Sequence, residues 1–423
     1  MTAVGVLGGL GALGVLGGLG ALGVLGGLGL VVLVLLGLLV VVRLVVGRVV
    51  LPGRERWMPV LAVDAGSITL PLSDETRSEG TFGVWHGGDA GERGHTVVGA
   101  VLDVDEVHGT VRRAVLDTVG DPPAEVRWTG HVLRDPSVLG TPWNEVDIPT
   151  ALGPAPAWQF SPPAAAPIGA AGSGAAGAAG PVPPGGPAAS RTWAVHVHGI
   201  RTTRVTALRT VPAVTALGWT SLVPSFRGDG EAPSDTPASH LGAREWPDVE
   251  AALDHAVAHG AERLVLVGWS MGATITRELL VHSAHRERIA GIVLVAPALD
   301  WATTVQTAAV RSGLPGPVVR LALGSMATPG ICRLVGLRSP VDVRALSWVR
   351  DPTTPPLDHL QPTLVVHSPG DPTVPFRLSE QFAAQHPGTV TLAVSEPTGH
   401  GWERNRDAAW FDARVTGWGA ALS

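Results

Sequence analysis

Ten residues, Leu264 to Ala273 (LVLVGWSMGA), constrain this chain more than any other stretch. Four apolar residues in a row, Leu264 to Val267, predict a strand buried on both faces. The next five, Gly268-Trp269-Ser270-Met271-Gly272, follow the Gly-x-Ser-x-Gly pattern of a strand that turns sharply into a helix and lifts a serine hydroxyl out of the sheet. Glycines two before and two after the serine are required because a Cβ there would strike neighbouring backbone. A five-residue pattern is weak by itself in a chain with 55 glycines among 423 residues. The flanking sequence must therefore decide its meaning.

Composition removes several chemistries. The chain contains no lysine, so all 30 basic residues are arginine, which excludes a Schiff base, a P-loop lysine and a Ser-x-x-Lys nucleophile. A net charge of −6 gives no basic footprint for nucleic acid. The single cysteine, Cys332, rules out internal disulfides and cysteine metal clusters, and no cofactor or metal is expected. The length suits two or three domains. Mean hydropathy is +0.27, high for a water-soluble protein, and the excess sits at the N-terminus.

From Thr2 to Val42 there is no ionisable side chain. A nine-residue unit, GVLGGLGAL, begins at Gly5, repeats at Gly14 and returns altered at Gly23; it reads either as a tandem duplication or as Gly-x-x-x-Gly helix-association pairs. Leu28 to Val46 is dense in Leu and Val, which predicts a membrane helix. Arg43, Arg48, Arg54 and Arg56 follow it while no basic residue precedes it, so the positive-inside rule places the C-terminal side in the cytoplasm.

Between about Val60 and Ile148 short strands are expected at Ile68–Leu72, Thr81–Trp85, Thr96–Leu102, Gly109–Leu116 and Glu145–Ile148, separated by Gly, Pro and Asp clusters. They predict a small β-rich domain over 57–160, after a membrane anchor over 1–50. His86, His95, His108 and His131 lack metal-ligand spacing and read as surface or turn residues. Residues 161–190, rich in Pro, Gly, Ala and Ser, read as a low-complexity linker that marks a domain boundary. Beyond it, over 191–423, strands alternate with helices, which implies a doubly wound, mostly parallel sheet.

Four motifs in this last region occur in the order used by the α/β-hydrolase superfamily, which residues 191–423 resemble. His196-Val197-His198-Gly199-Ile200 is a strand ending in His-Gly; the Ser270 turn comes next; Asp371 lies in PGDPTVP after the Thr363 strand; His400 lies in Gly399-His400-Gly401 after the final strand. The resemblance implies an α/β-hydrolase fold with a catalytic Ser270, Asp371 and His400, and an oxyanion hole from the backbone N–H groups of Ile200, with Arg201 as its alternative, and Met271. Asp300, after the Ile289 strand, is a rival acid. Within the superfamily the chain resembles membrane-anchored bacterial hydrolases of unassigned substrate, a likeness carried by PSFRGDGEAP (224–233), GAREWPD (242–248) and GWSMG. Arg227, Asp229 and Glu231 form a charged loop, either beside the mouth of the site or simply in solvent.

The chemistry is consistent with the set. Serine is a poor nucleophile until a histidine takes its proton, and an acid fixes that histidine's tautomer. Helical stretches between about 300 and 357 predict an apolar cap, which favours a small hydrophobic acyl substrate. The expected activity is serine-esterase-like hydrolysis of an ester, thioester or amide through an acyl-enzyme, in a protein partnered with a membrane. A serine peptidase, an acyltransferase and a non-catalytic binding protein on the same fold are the alternatives.

Overall fold

A computed structural model describes residues 30–51, 53, 56–87, 94–121, 123–162, 191–349 and 360–422. The nine-residue repeat, most of the low-complexity stretch and the end of the expected cap lie outside the described residues.

The larger of two sheets has eight strands in the order β15-β14-β13-β12-β10-β11-β9-β8. Its parallel part comprises β10 (Thr192–Val197), β11 (Thr220–Pro224), β12 (Arg263–Trp269), β13 (Ile289–Val295), β14 (Thr363–His367) and β15 (Val390–Val394). Residues alternate between its two faces: Leu264 and Leu266 enter one hydrophobic cluster, while Val265, Val267 and Trp269 enter another. Helices cover both. On the first face lie α3 (Trp246–Ala258), α4 (Gly272–His282) and α8 (Arg377–Gln385), and on the second α2 (Val211–Ala216) and α10 (Ala408–Ala420). Two buried faces explain why these strands read as continuous apolar runs.

The first two strands of this sheet correct the expected boundaries. β8 (Trp143–Thr150) and β9 (Gly153–Phe160) form an antiparallel hairpin, and β9 pairs antiparallel with β11 at Leu222↔Gln159 and Val223↔Trp158. The segment Glu145–Ile148, expected in the β-rich domain, therefore belongs to the hydrolase sheet. The low-complexity stretch is flanked on both sides by strands of one sheet rather than separating two units. The cause is non-local: β9 finds its partner beyond that stretch, and no local pattern encodes the pairing.

The smaller sheet has seven strands, β1 (Trp57–Pro59), β7 (Glu125–Thr129), β4 (Phe82–His86), β5 (Gly94–Asp105), β6 (Thr110–Val119), β3 (Ser67–Pro71) and β2 (Ala62–Asp64), in that spatial order. All its pairings are antiparallel. Ile68, Leu70, Phe82, Val84, Val98, Val111 and Val126 fill its core. His86 and His95 are buried here rather than at the surface. His86 Nε2 lies 3.1 Å from Thr96 Oγ1, and His95 Nε2 donates to the His131 carbonyl at 2.7 Å.

An apolar helix, α1 (Leu30–Val50), has a mean hydropathy of 3.0 over its most apolar window, long and apolar enough to cross a membrane. Its first turns are exposed, but Val42, Val45, Val46 and Val50 are buried in the hydrolase core. The cap expected near 300–357 includes α5 (Trp301–Arg311), α6 (Gly316–Ala327) and α7 (Ile331–Leu334).

Candidate active site

Ser270 sits between the end of β12 and the start of α4 with φ +51°, a left-handed conformation that side-chain-bearing residues rarely adopt. The turn is held by three backbone bonds: Ser270 N–H to the Val295 carbonyl at 2.9 Å, and Ala298 and Ala273 N–H to the Ser270 carbonyl at 3.0 and 3.1 Å. A Cβ on Gly268 would lie 2.7 Å from the Gly272 carbonyl carbon, and one on Gly272 would collide with the Val197 carbonyl. Both glycines are thus required by space.

Three side chains meet at this turn. Ser270 Oγ lies 2.9 Å from His400 Nε2, and His400 Nδ1 lies 2.7 Å from Asp371 Oδ2. With the ring neutral, Nδ1–H donates to the carboxylate and Nε2 accepts from the serine hydroxyl. Burial alone would make His400 harder to protonate, but the Asp371 carboxylate outweighs it, so its pKa is raised above the ordinary 6.5. Burial would likewise raise Asp371, yet His400 and His367 more than offset it and hold this carboxyl well below the usual range. Asp371 Oδ1 also accepts the Thr373 and Val374 N–H groups at 2.7 and 2.9 Å.

The rival Asp300 has another task. Its Oδ1 accepts the Thr303 N–H at 2.6 Å, which caps the N-terminus of α5.

The His-Gly loop lies against the serine. A Cβ on Gly199 would stand 3.1 Å from Ser270 Cβ. Neither the Ile200 nor the Met271 N–H has an acceptor among the described residues. Arg201 follows with φ +62°. His198 is buried behind the loop, its Nδ1 donating to the Gly199 carbonyl at 2.9 Å and its ring stacked on Phe226 at 4.0 Å. In the next loop the Arg227 and Asp229 side chains turn inward while Glu231 stays exposed, and Asp229 lines a second cavity with Ile200 and Arg201, beside the one over Ser270. Asp229 Oδ2 is 3.3 Å from His198 Nε2, Arg227 pairs with Asp248 at 2.5 Å and Glu231 with Arg204 at 2.6 Å. His196, in β10, is bonded to Thr210 and Ser221.

Several neighbours of the site escaped the sequence reading. His367 is buried and donates from Nε2 to Asp371 Oδ2 at 3.0 Å while its Nδ1 accepts from Ser379 Oγ at 2.7 Å; its signal was its place at the end of β14, four residues before the acid. Glu403 is buried beside the same group, with Oε1 accepting the Ser368 N–H at 3.2 Å, and burial followed by the nearby Asp371 charge pushes it up to about 7. Arg209 stacks over Trp269 at 4.1 Å and donates to the Gly401 carbonyl at 2.6 Å. His131, beyond the small sheet's β7, joins Ser270, Ile200, Trp301, Thr304 and His400 around a cavity of about 290 Å³. Nothing in its local sequence marks that long-range placement.

Residues 182–413, more than half of the chain, match the model of a family described as the alpha/beta hydrolase family. The chain belongs to the alpha/beta hydrolase family. In this α/β hydrolase, residues 59–129 match a second family, described as a domain of unknown function, DUF8805. No curated protein matches the chain. Among solved structures, an esterase from Pyrococcus furiosus is similar at 15% identity and a TM-score of 0.47, over 68% of this chain and 94% of the other. A thermophilic esterase from Thermogutta terrifontis is similar at 17% identity and a TM-score of 0.41, over 66% and 99%. An α/β serine hydrolase homologue from Coxiella burnetii has 16% identity and a TM-score of 0.39, over 64% and 95%.

Proposed function

We propose that this α/β hydrolase is a membrane-anchored serine hydrolase that cleaves a small, hydrophobic acyl ester, thioester or amide through an acyl-enzyme on Ser270. The observation that carries this reading is the continuous contact from Ser270 Oγ to His400 at 2.9 Å and from His400 to Asp371 at 2.7 Å. His400 takes the hydroxyl proton as Ser270 Oγ bonds to the acyl carbon, then gives it to the leaving group as the carbonyl reforms. Water repeats the sequence in reverse and releases the acid. Asp371 holds the ring in the tautomer that presents Nε2 to the serine and stabilises the imidazolium. The Ile200 and Met271 N–H groups receive the oxyanion, where losing one such donor typically costs about 3 kcal/mol.

In this reading α1 anchors the protein, and Arg43 and Arg48 in its last turns with Arg54 and Arg56 after it keep the catalytic part in the cytoplasm. The small sheet acts as a separate module seated on the loop that carries His400.

Turnover of short p-nitrophenyl esters, thioesters and anilides by the full-length protein tests the reading. Ser270→Ala is expected to lower kcat by about a millionfold. Undiminished turnover by that variant overturns the assignment of Ser270, and no turnover of any of the three classes favours a non-catalytic binding protein.

A further inference from the structure

The end of α1 is built into the site it tethers. Its last carbonyls are claimed by the hydrolase domain: Arg201 Nε donates to Leu51 O at 2.9 Å, its Nη2 donates to Arg48 O, and the Ser239 N–H donates to Val50 O at 2.8 Å. A guanidinium at a helix C-terminus also answers the negative end of the helix dipole. Farther up the helix, Arg43 donates to the Leu334 carbonyl of α7 at 2.9 Å, which sets the cap beside α1.

Between the two runs a groove of about 240 Å³, walled by Val45 and Val49 of α1, by Val305, Ala308 and Ala309 of α5, and by Leu314. It adjoins the cavity over Ser270: Ile200, Arg201, Trp301, Thr304 and Thr373 line both. The flanks are apolar and bare: Leu30, Leu33 and Leu35 on the free turns of α1 are more than half exposed, and on the cap Leu334 is 56% and Val310 76% exposed. An acyl chain that reached Ser270 through water would lose about fourfold in population for each methylene exposed. A chain passing from hydrocarbon into this groove exposes none.

We propose that this groove binds the acyl chain of a single-chain ester drawn directly from the bilayer, so that the last turns of α1 form one wall of the substrate site as well as holding the enzyme at the membrane. The ester carbonyl lies at Ser270, and the chain runs along α5 toward α1. This inference rests on the serine-hydrolase reading above.

Full-length protein reconstituted in phosphatidylcholine vesicles provides the test, with Val49→Trp and Ala308→Trp narrowing the groove from opposite walls. The ratio of kcat/KM for p-nitrophenyl octanoate over acetate is expected to be at least tenfold in the wild type and to fall at least tenfold in both variants. A tether alone would leave the ratio unmoved, and an unmoved ratio in both variants overturns the groove while Ser270-dependent turnover of the acetate upholds the hydrolase. Absence of that turnover in the wild type overturns both. A monoacyl glycerol ester placed in the same vesicles as the enzyme is expected to be hydrolysed at least tenfold faster than the same ester in separate vesicles; equal rates overturn delivery from the bilayer.

Discussion

Asn405 and Thr81 exchange two hydrogen bonds across 324 residues of sequence: the Thr81 N–H donates to the Asn405 carbonyl at 2.8 Å, and Asn405 Nδ2 donates to the Thr81 carbonyl at 2.7 Å. The same amide group donates to the Gly130 carbonyl at 3.1 Å and accepts from Arg209 at 2.6 Å, while Trp402 sets its ring edge-on to Phe82 at 4.9 Å. The small sheet thus grips the segment that carries His400.

Asn405→Ala is expected to lower kcat by roughly tenfold to a hundredfold, the cost of a displacement of about 1 Å in a catalytic group. Three side-chain bonds are lost with it, each worth about 1 kcal/mol, so urea unfolding is expected to show a loss of roughly 3 kcal/mol. An unchanged kcat in a destabilised variant would limit the grip to stability.

The pH profile follows from His400. In the proposed mechanism His400 is the base and must be neutral, and its pKa lies above the ordinary 6.5, so kcat/KM is expected to rise with pH through an inflection above that value. The linkage to stability has the opposite sign. A raised folded pKa contributes stability that is fully present below 6.5 and is lost as pH rises through the folded value. Asp371, held low, contributes stability that is present above its ordinary 3.8 and is lost in acid. A profile of kcat/KM against pH and a series of thermal melts check the two together.

Glu403 gives a sharper test because burial raises it from 4.5 to about 7. Between those values the unfolded chain has released this proton and the folded chain has not, so stability falls across the window by roughly 3 kcal/mol. Glu403→Gln keeps an oxygen for the Ser368 N–H and removes the titration. The variant is expected to lose less stability than the wild type between pH 5 and pH 8. Because ionised Glu403 helps raise His400, the acidic limb of kcat/KM is also expected to move to lower pH in the variant.

The hairpin β8–β9 predicts where the catalytic unit begins. A fragment starting at Arg191 lacks both strands and exposes the edge of β11, so it is expected to aggregate. Full-length protein cut by protease within residues 163–190 is expected to keep the two pieces associated on gel filtration, since β9 remains paired with β11. Separation of the pieces would contradict this pairing.

Most of the parallel sheet was legible because buried strands and the helices between them leave local, periodic signals. Leu264 to Gly272 announced both its strand and its turn, and Asp371 and His400 stood directly after strand ends. The sheet to which the hairpin at 143–160 belongs is not legible locally, because its partner β11 lies beyond the low-complexity stretch. Glu403 and His131 carry no local signal either, and even for His367 the role comes from what surrounds it. His367 looks like a strand residue, Glu403 like the start of a helix and His131 like a loop residue until the chain brings the first two beside Asp371 and Ser368 and the third to the cavity over Ser270. The docking of α1 was hidden as well, since Val42, Val45 and Val46 suit a protein core as well as they suit lipid.

In the proposed mechanism Ser270 is a nucleophile activated by His400. Full-length protein treated with a fluorophosphonate and mapped by peptide mass spectrometry tests it most directly. One adduct is expected, on Ser270, absent in Ser270→Ala and formed far more slowly in His400→Ala. No adduct on folded wild-type protein, or an adduct that persists in Ser270→Ala, would contradict it.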